Sequence, residues 1–191
     1  MLNLGTKVII LNRIYLRKIN LKDANDLFEY ASNENVTRYL TWNPHKSIEE
    51  TKAYLLNVAT KYDLNTYRWA ICLKENNKVI GTIDVVRLNK ENEEAEIGYV
   101  LNEKYHNHGY MSEAFNGVID YLFNEVNLKK IKACYQLGNI ASKRVMEKCG
   151  LKKEHIIKEK TLPLKNNKIV YVEYMAISKY TEYKSFAGLL Y

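Results

Sequence analysis

Glu96-Ile97-Gly98-Tyr99-Val100-Leu101, followed after a short polar loop by His108-Gly109-Tyr110-Met111-Ser112-Glu113-Ala114, decides the fold. The first segment reads as a strand and the second as a glycine-bearing turn that opens a helix. Asn107 and Gly109 tolerate the positive φ that such a turn demands. From Met111 onward Met111, Ala114, Phe115, Val118, Ile119, Leu122 and Phe123 recur at helical spacing, so one face is buried. The first amides of a helix have no partner within it, and together with the dipole they make a seat for an anion, a phosphate above all.

Outward from this stretch the hydrophobic period switches between helix and strand. Residues 12–19 alternate as a strand, and Asn20 caps the next helix, with Asp23 at the third position and Ala24, Leu27, Phe28 and Ala31 as its buried stripe. A shorter helical piece covers 35–40 and stops before Trp42-Asn43-Pro44, where proline pushes Asn43 out of the helical region. Ser47-Ile48-Glu49-Glu50 is a capping box opening a helix that runs to about Tyr62. Residues 67–73, 79–88 and 95–101 then form an antiparallel meander. After the helix at 110–125, Asn127 offers a left-handed stop. Residues 131–135 read as a strand, 139–148 as a helix closed by Gly150, and 151–159 with 169–178 as a hairpin around a turn at 163–167. The fold class is α+β, with one parallel pair forced by the helical crossover from Leu101 to Ile131.

No repeat or linker divides the 191 residues, so a single domain over 1–191 is expected, with its core at about 12–180. The tail from 180 carries Phe186, Leu189, Leu190 and Tyr191, too apolar for a solvated end, and is expected to dock on the body or to build a homodimer. Charged residues at 27% and hydrophobic residues at 47% fit an ordinary globular protein. The run Val8-Ile9-Ile10-Leu11 is far short of the roughly 18 residues a membrane span needs, and no cleavable signal surrounds it, so a cytoplasmic protein with no membrane partner is expected. Cys72, Cys134 and Cys149 are odd in number and far apart, as reduced packing thiols are. A helix end beside Cys149 would raise its thiol pKa, which argues against a nucleophile.

The net charge of +7 is concentrated: residues 128–170 hold 12 Lys/Arg against 3 Asp/Glu, while residues 1–127 hold 15 against 17. Such a segment suits a nucleotide cofactor or a solvated face; nucleic acid would need aromatic platforms on that face as well, and is the less favoured partner. His106 and His108, with His45, lack the ligand spacing of zinc sites, so no metal is expected. A dinucleotide fingerprint and a Walker loop are both excluded by missing residues.

Four segments in order carry a resemblance: Asn12-Arg13-Ile14-Tyr15-Leu16-Arg17, Val36-Thr37-Arg38-Tyr39-Leu40-Thr41-Trp42, Ala95-Glu96-Ile97-Gly98-Tyr99, and Asn139-Ile140-Ala141-Ser142 through Met146-Glu147-Lys148-Cys149-Gly150. Over roughly residues 12–180 the chain resembles the GNAT superfamily of acetyl-CoA-dependent N-acetyltransferases, closest to its ribosomal-protein (alanine) N-terminal acetyltransferase group. The resemblance implies a GNAT-like mixed, mostly antiparallel twisted sheet flanked by helices, with a splayed parallel strand pair holding acetyl-CoA. The superfamily's pyrophosphate loop, Arg/Gln-x-x-Gly-x-Gly/Ala, falls on His106-Asn107-His108-Gly109-Tyr110-Met111, with His106, Asn107 and Met111 departing from the usual residues. Backbone amides do most of the phosphate work, so the seat survives these changes. Tyr99, Val100, Leu101, His106, Asn107, His108, Gly109, Tyr110, Met111, Ser112, Asn139, Ser142 and Arg144 are the cofactor-binding residues this implies.

Moving acetyl from a thioester to an amine requires a neutral amine, a polarised carbonyl and a proton for the departing thiolate. By resemblance Glu96 is the base, unless it is a surface carboxylate of an acidic turn with Glu93 and Glu94. A main-chain amide near Tyr99 or Val100, freed by a bulge that family members carry there, polarises the carbonyl. Ser142 is the proton donor, three residues from Asn139 on one helix face; the pair also reads as a helix cap, and other branches use a tyrosine, for which Tyr99 and Tyr110 stand among 16. Arg38, Tyr39, Trp42 and His45, with Glu96, line the acceptor side, core packing being the alternative for Trp42. Lys143 and Arg144 neutralise cofactor phosphates or are simply solvated. The expected acceptor is a protein N-terminal α-amine of the ribosomal-protein type, with polyamines, aminoglycosides, other small amines, or a non-catalytic CoA-binding module as alternatives.

Overall fold

The computed structural model describes residues 1–63, 65–160 and 168–180, so the expected turn at 163–167 and the tail from 181 lie outside the described residues. The elements are β1 (Ile9–Ile10), β2 (Ile14–Arg17), α1 (Ala24–Ala31), α2 (Glu34–Thr37), α3 (Ile48–Ala59), β3 (Arg68–Leu73), β4 (Val79–Asn89), β5 (Glu94–Leu101), α4 (Tyr110–Asn124), β6 (Lys130–Gln136), α5 (Ile140–Lys148), β7 (Lys152–Lys160) and β8 (Ile169–Ser178). The strands form one eight-stranded sheet in the order β1-β2-β3-β4-β5-β6-β8-β7. Every neighbour is antiparallel except β5–β6.

Local chemistry sets the helix starts. Asn20 accepts from the Lys22 amide and the Asp23 carboxylate accepts from the Asn20 amide, a reciprocal box around a 3-10 turn that leads into α1. At α3 the expected box is offset by one residue. Ser47 accepts from Glu50 N–H at 3.3 Å, but the Glu50 carboxylate turns to the amide of Lys46 at 2.7 Å, and the helix ends at Ala59, short of Tyr62.

Strand alternation divides the core. Ala95, Ile97, Ile131, Ala133 and Tyr135 face α4 and α5, packing against Phe115, Val118, Ile119, Leu122 and Met146. On the other face Ala70, Cys72 and Val79 meet Leu27, Tyr30, Leu55 and Val58 of α1 and α3. Each fully buried side chain of this kind stabilises by about 1.5–3 kcal/mol.

Two irregularities position the site. The pairing of β5 with β6 runs only from Glu94↔Lys130 to Ile97↔Ala133, yet β5 continues to Leu101 and β6 to Gln136, the latter held by β8. The strands therefore diverge beyond Ile97. The bulge expected near Tyr99 or Val100 lies instead on β4, where Val86 is the extra residue between the pairs Val85↔Ile97 and Arg87↔Glu96; β5 runs uninterrupted to Leu101↔Gly81. Twist accumulates at a bulge, and here it sits beside the end of the parallel pairing.

Part of the basic segment is neutralised where it folds. Lys129 pairs with Glu93 and Lys132 with Glu94, Lys130 meets Glu154, and Lys153 and Lys143 meet Glu173 and Glu147. Among the described residues no helix is long and apolar enough to cross a membrane.

Candidate functional site

The gap between β5 and β6 is the centre of the site. Asn102 N–H donates to Ile80 O at 2.8 Å, so by alternation Val100 and Gly98 also direct their main-chain groups to β4, and Tyr99 and Leu101 direct theirs into the gap. Side chains alternate across the sheet as well. Tyr99 lies on the α4/α5 face, its ring 5.5 Å from Phe115, while Glu96, Gly98 and Val100 lie on the α1–α3 face.

At the mouth of the gap stands the start of α4. Asn107 has φ 63° and Gly109, the N-cap, φ 82°, both in the left-handed region the sequence called for. Among the described residues no group accepts from the amides of Tyr110, Met111 and Ser112, the free donors of the first turn. The side chain of Met111 is core, so its contribution here is its amide, and the same holds for the buried Ser112. Two cations not singled out as site residues in the sequence flank Gly109: a Cβ built there would sit 3.5 Å from Arg13 Nη2 and 3.9 Å from Lys148 Nζ. Arg13 is fixed by Glu113 at 2.8 Å, by the His108 carbonyl at 2.8 Å, and by the Tyr110 ring 4.5 Å beneath it.

Each of the two imidazoles makes a main-chain contact. His106 Nε2–H donates to Leu101 O at 3.0 Å, bracing the loop against the end of β5, and His108 Nδ1–H donates to His106 O at 2.7 Å within the loop. Free amides, two cations and a glycine at positive φ beside them fit a polyphosphate. Arg144 is exposed on α5, and Lys143 is engaged with Glu147 at 3.7 Å.

On the α5 side Asn139 is the N-cap, its Oδ1 accepting from Ser142 N–H at 3.2 Å, so that oxygen is committed to the helix. The Tyr99 hydroxyl reaches across the gap to Ser142, 2.8 Å from Oγ and 3.1 Å from the carbonyl oxygen. Burial pushes the Tyr99 phenol far above its usual range, with the Ser142 hydrogen bond opposing only in part, so it stays protonated. Two proton arrangements are open. Tyr99 can donate to the carbonyl and accept from Ser142, or donate to Ser142 Oγ and leave the serine proton free to point into the gap.

On the opposite face Glu96 is 16% exposed, and it lacks the close lysine partners of Glu93 and Glu94, each 2.6–2.7 Å from a lysine Nζ. Its Oε1 lies 3.7 Å from Cys134 Sγ and its Oε2 3.7 Å from Arg87, which is 76% exposed and holds it weakly. Burial, then the charge of Glu96, pushes the Cys134 thiol up to about 12, so it is no nucleophile at neutral pH. Further carboxylates share this side. Asp84 sits between Arg68 and Gly98 in one cross-strand row, its Oδ2 3.0 Å from Arg68 Nε. Glu159 accepts from Tyr174 at 3.2 Å.

The residues expected on the acceptor side make the following contacts. Arg38 stacks 5.4 Å from the Tyr39 ring, and Tyr39 donates to Gly138 O at 3.3 Å, tying the wall to the loop that opens α5. Trp42 lies 5.3 Å from His45, whose Nδ1 is 2.8 Å from Thr51 Oγ1. Half-buried Trp42 also packs on the α1–α3 core, so wall and packing are both its work.

A family model described as an acetyltransferase (GNAT) domain matches residues 13–152. The uncharacterized N-acetyltransferase YnaD of Bacillus subtilis is 35% identical over 151 residues, 79% of this chain and 86% of that protein. Another relative, the uncharacterized N-acetyltransferase p20 of Bacillus licheniformis, is 31% identical over 148 residues, covering 77% and 83%. The crystal structure of a GNAT-family acetyltransferase from Bacillus anthracis superimposes with a TM-score of 0.79 at 31% identity, covering 91% of this chain and 99% of that one.

Proposed function

Because the chain belongs to the GNAT acetyltransferase family, and is thereby an acyltransferase that uses acetyl-CoA, we propose that it moves acetyl directly onto a primary amine, the α-amine of a protein N-terminus. The observation that carries this reading is the two-sided gap: Tyr99 and Ser142 on one face, Glu96 on the other, and the main chain of Tyr99 between them. Bound acetyl-CoA supplies the acetyl group already activated as a thioester. The first-turn amides of α4, with Arg13 and Lys148, hold the phosphates. The Tyr99 amide donates to the developing oxyanion, and Glu96 takes the amine's proton, directly or through water. Ser142 gives its proton to the leaving sulfur and is resupplied by Tyr99, which regains a proton from solvent as Glu96 releases the one it took.

Relatives point to two acceptor classes. A putative ribosomal N-acetyltransferase of Bacillus subtilis is 27% identical over 147 residues, and the spermidine N(1)-acetyltransferase of Vibrio cholerae is 24% identical over 149. The aromatic wall of Tyr39, Trp42 and His45 suits the end of a peptide, while Glu96, Asp84 and Glu159 on the acceptor side favour a polyamine as the second reading. We read the whole chain as one such domain working in the cytoplasm, where Cys72, Cys134 and Cys149 stay reduced.

Calorimetric titration with acetyl-CoA, CoA and NAD, followed by thiol release over peptides, polyamines and aminoglycosides, tests the reading. Selective micromolar acetyl-CoA binding with peptide-dependent thiol release supports it; release with spermidine alone moves the acceptor to the second class. Absence of acetyl-CoA binding refutes both.

A further inference from the structure

Asp84 is the one carboxylate of β4, and its two oxygens have different fates. Oδ2 is held by Arg68, whereas Oδ1 is buried and, among the described residues, meets no hydrogen-bond donor. Leaving a buried carboxylate oxygen unpaired is costly, so such a group marks where a donor belongs. The position is specific. Asp84 is the direct cross-strand partner of Gly98, which puts their Cα atoms about 4.5–5.5 Å apart, and Gly98 adjoins the Tyr99 main chain that lines the gap.

Gly98 brings no side chain to this row, and the bulged Val86 takes the place of one: a Cβ on Gly98 would meet Val86 Cγ1 at 2.8 Å. The side chain of Asp84 as a whole keeps 14% exposure, while Oδ1 itself is buried. Around it stand Tyr30, Tyr54 and Tyr62 from α1, α3 and the segment after α3. The hydroxyl of Tyr30 is likewise buried and without a partner among the described residues. Glu96 lies on the same face, two residues from Gly98.

We propose that Asp84 Oδ1 docks the acceptor's primary ammonium beside the thioester, while Glu96 takes the proton. The inference rests on the acetyl-transfer reading and deepens it: a residue not carried by the family motifs grips the acceptor. Arg68 leaves one oxygen open, so the subsite accepts a single cationic donor and discriminates against neutral alcohols, which bring no charge to the carboxylate.

Asp84→Asn tests it, because the volume is kept and only the charge is removed. Steady-state thiol release is measured with an alanine-starting hexapeptide and with spermidine, beside calorimetric acetyl-CoA binding and a thermal melt. The expected result is a KM for the acetylated amine raised about 10- to 100-fold, the value of a hydrogen bond to a charged group, with kcat changed less than threefold and acetyl-CoA affinity unchanged. An unchanged KM in a folded variant overturns the proposal while leaving the acetyl-transfer reading intact. Unsubstituted protein that binds no acetyl-CoA, or acetylates neither amine, overturns both. Should the variant fail to fold, the 13C carboxyl signal of Asp84 in the unsubstituted, CoA-bound protein is followed as alanine amide is titrated in. A saturating shift supports the contact, and a flat titration refutes it.

Discussion

Ser142→Ala separates a proton donor from a prop. If the serine hydroxyl protonates the leaving thiolate, turnover should fall about 10²–10⁴-fold, the range for a positioned acid. If it merely holds Tyr99, the loss is one neutral hydrogen bond, about 0.5–1.5 kcal/mol, or roughly 2- to 13-fold. The ranges do not overlap, and the fold protects the experiment from side effects. The cap of α5 uses the Ser142 amide, which alanine keeps, and Tyr99 retains the Ser142 carbonyl at 3.1 Å, so no buried donor is orphaned. Alanine is also the better helix former. Tyr99→Phe is the companion, expected to cost only the smaller range because Ser142 still carries a proton. The assay is rapid-mixing thiol release at saturating acetyl-CoA, with calorimetry to show unchanged cofactor affinity. A loss under tenfold for Ser142→Ala beside more than a hundredfold for Tyr99→Phe would make the phenol the acid and refute the relay.

Gly109→Val forces a β-branched residue to φ 82°, costing about 1–2 kcal/mol and therefore about 2–8 °C in Tm. It also sets carbon beside Arg13 and Lys148, so acetyl-CoA binding should weaken at least tenfold by calorimetry; normal affinity would remove the loop from the site. Lys148→Ala should raise the acetyl-CoA Kd about 2- to 5-fold at low salt, the difference fading by about 0.5 M salt, as expected for an exposed charge. Glu29 is held down at about 2 by hydrogen bonds from Lys104 and then Lys78. Its folded pKa lies below its unfolded one, so its stabilisation is full above about pH 4.5 and is lost as pH falls toward 2. Thermal melts of Glu29→Gln and the parent should converge across that window; parallel curves would discount the pair.

Much of this architecture was legible because it is written locally. Ile169–Ser178 is the strand its alternation predicts, and Asn107, Gly109, Asn127 and Gly150 all take the positive φ their residue types permit. The bulge was misplaced because a bulge is a property of register between two strands, and Val86 carries no mark of it in its own sequence neighbourhood. The contact of His106 with the carbonyl of Leu101 depends on the loop's curvature, which is invisible in the letters. Arg13 and Lys148 come from opposite ends of the chain and meet only once β2 and α5 flank α4. Asp84 did leave a signal, a lone carboxylate inside Val79-Ile80-Gly81-Thr82-Ile83-Asp84-Val85-Val86. The contact of Tyr39 with Gly138 is long-range, and no local period encodes it.

The divergence of β5 from β6 leaves an opening right through the sheet, with a different lining on each side. Donor and acceptor can then approach from opposite sides and be present together, with no residue obliged to carry the acetyl group between them. Kinetics should accordingly show converging, not parallel, double-reciprocal lines. Tyr39 donates to the carbonyl of Gly138 in the loop that starts α5, so one hydrogen bond joins the two sides. An amine pressing on the aromatic wall can tighten the serine's aim, and water, too small to press on anything, cannot. The enzyme would thus spare its donor from idle hydrolysis by letting the acceptor complete the catalytic arrangement.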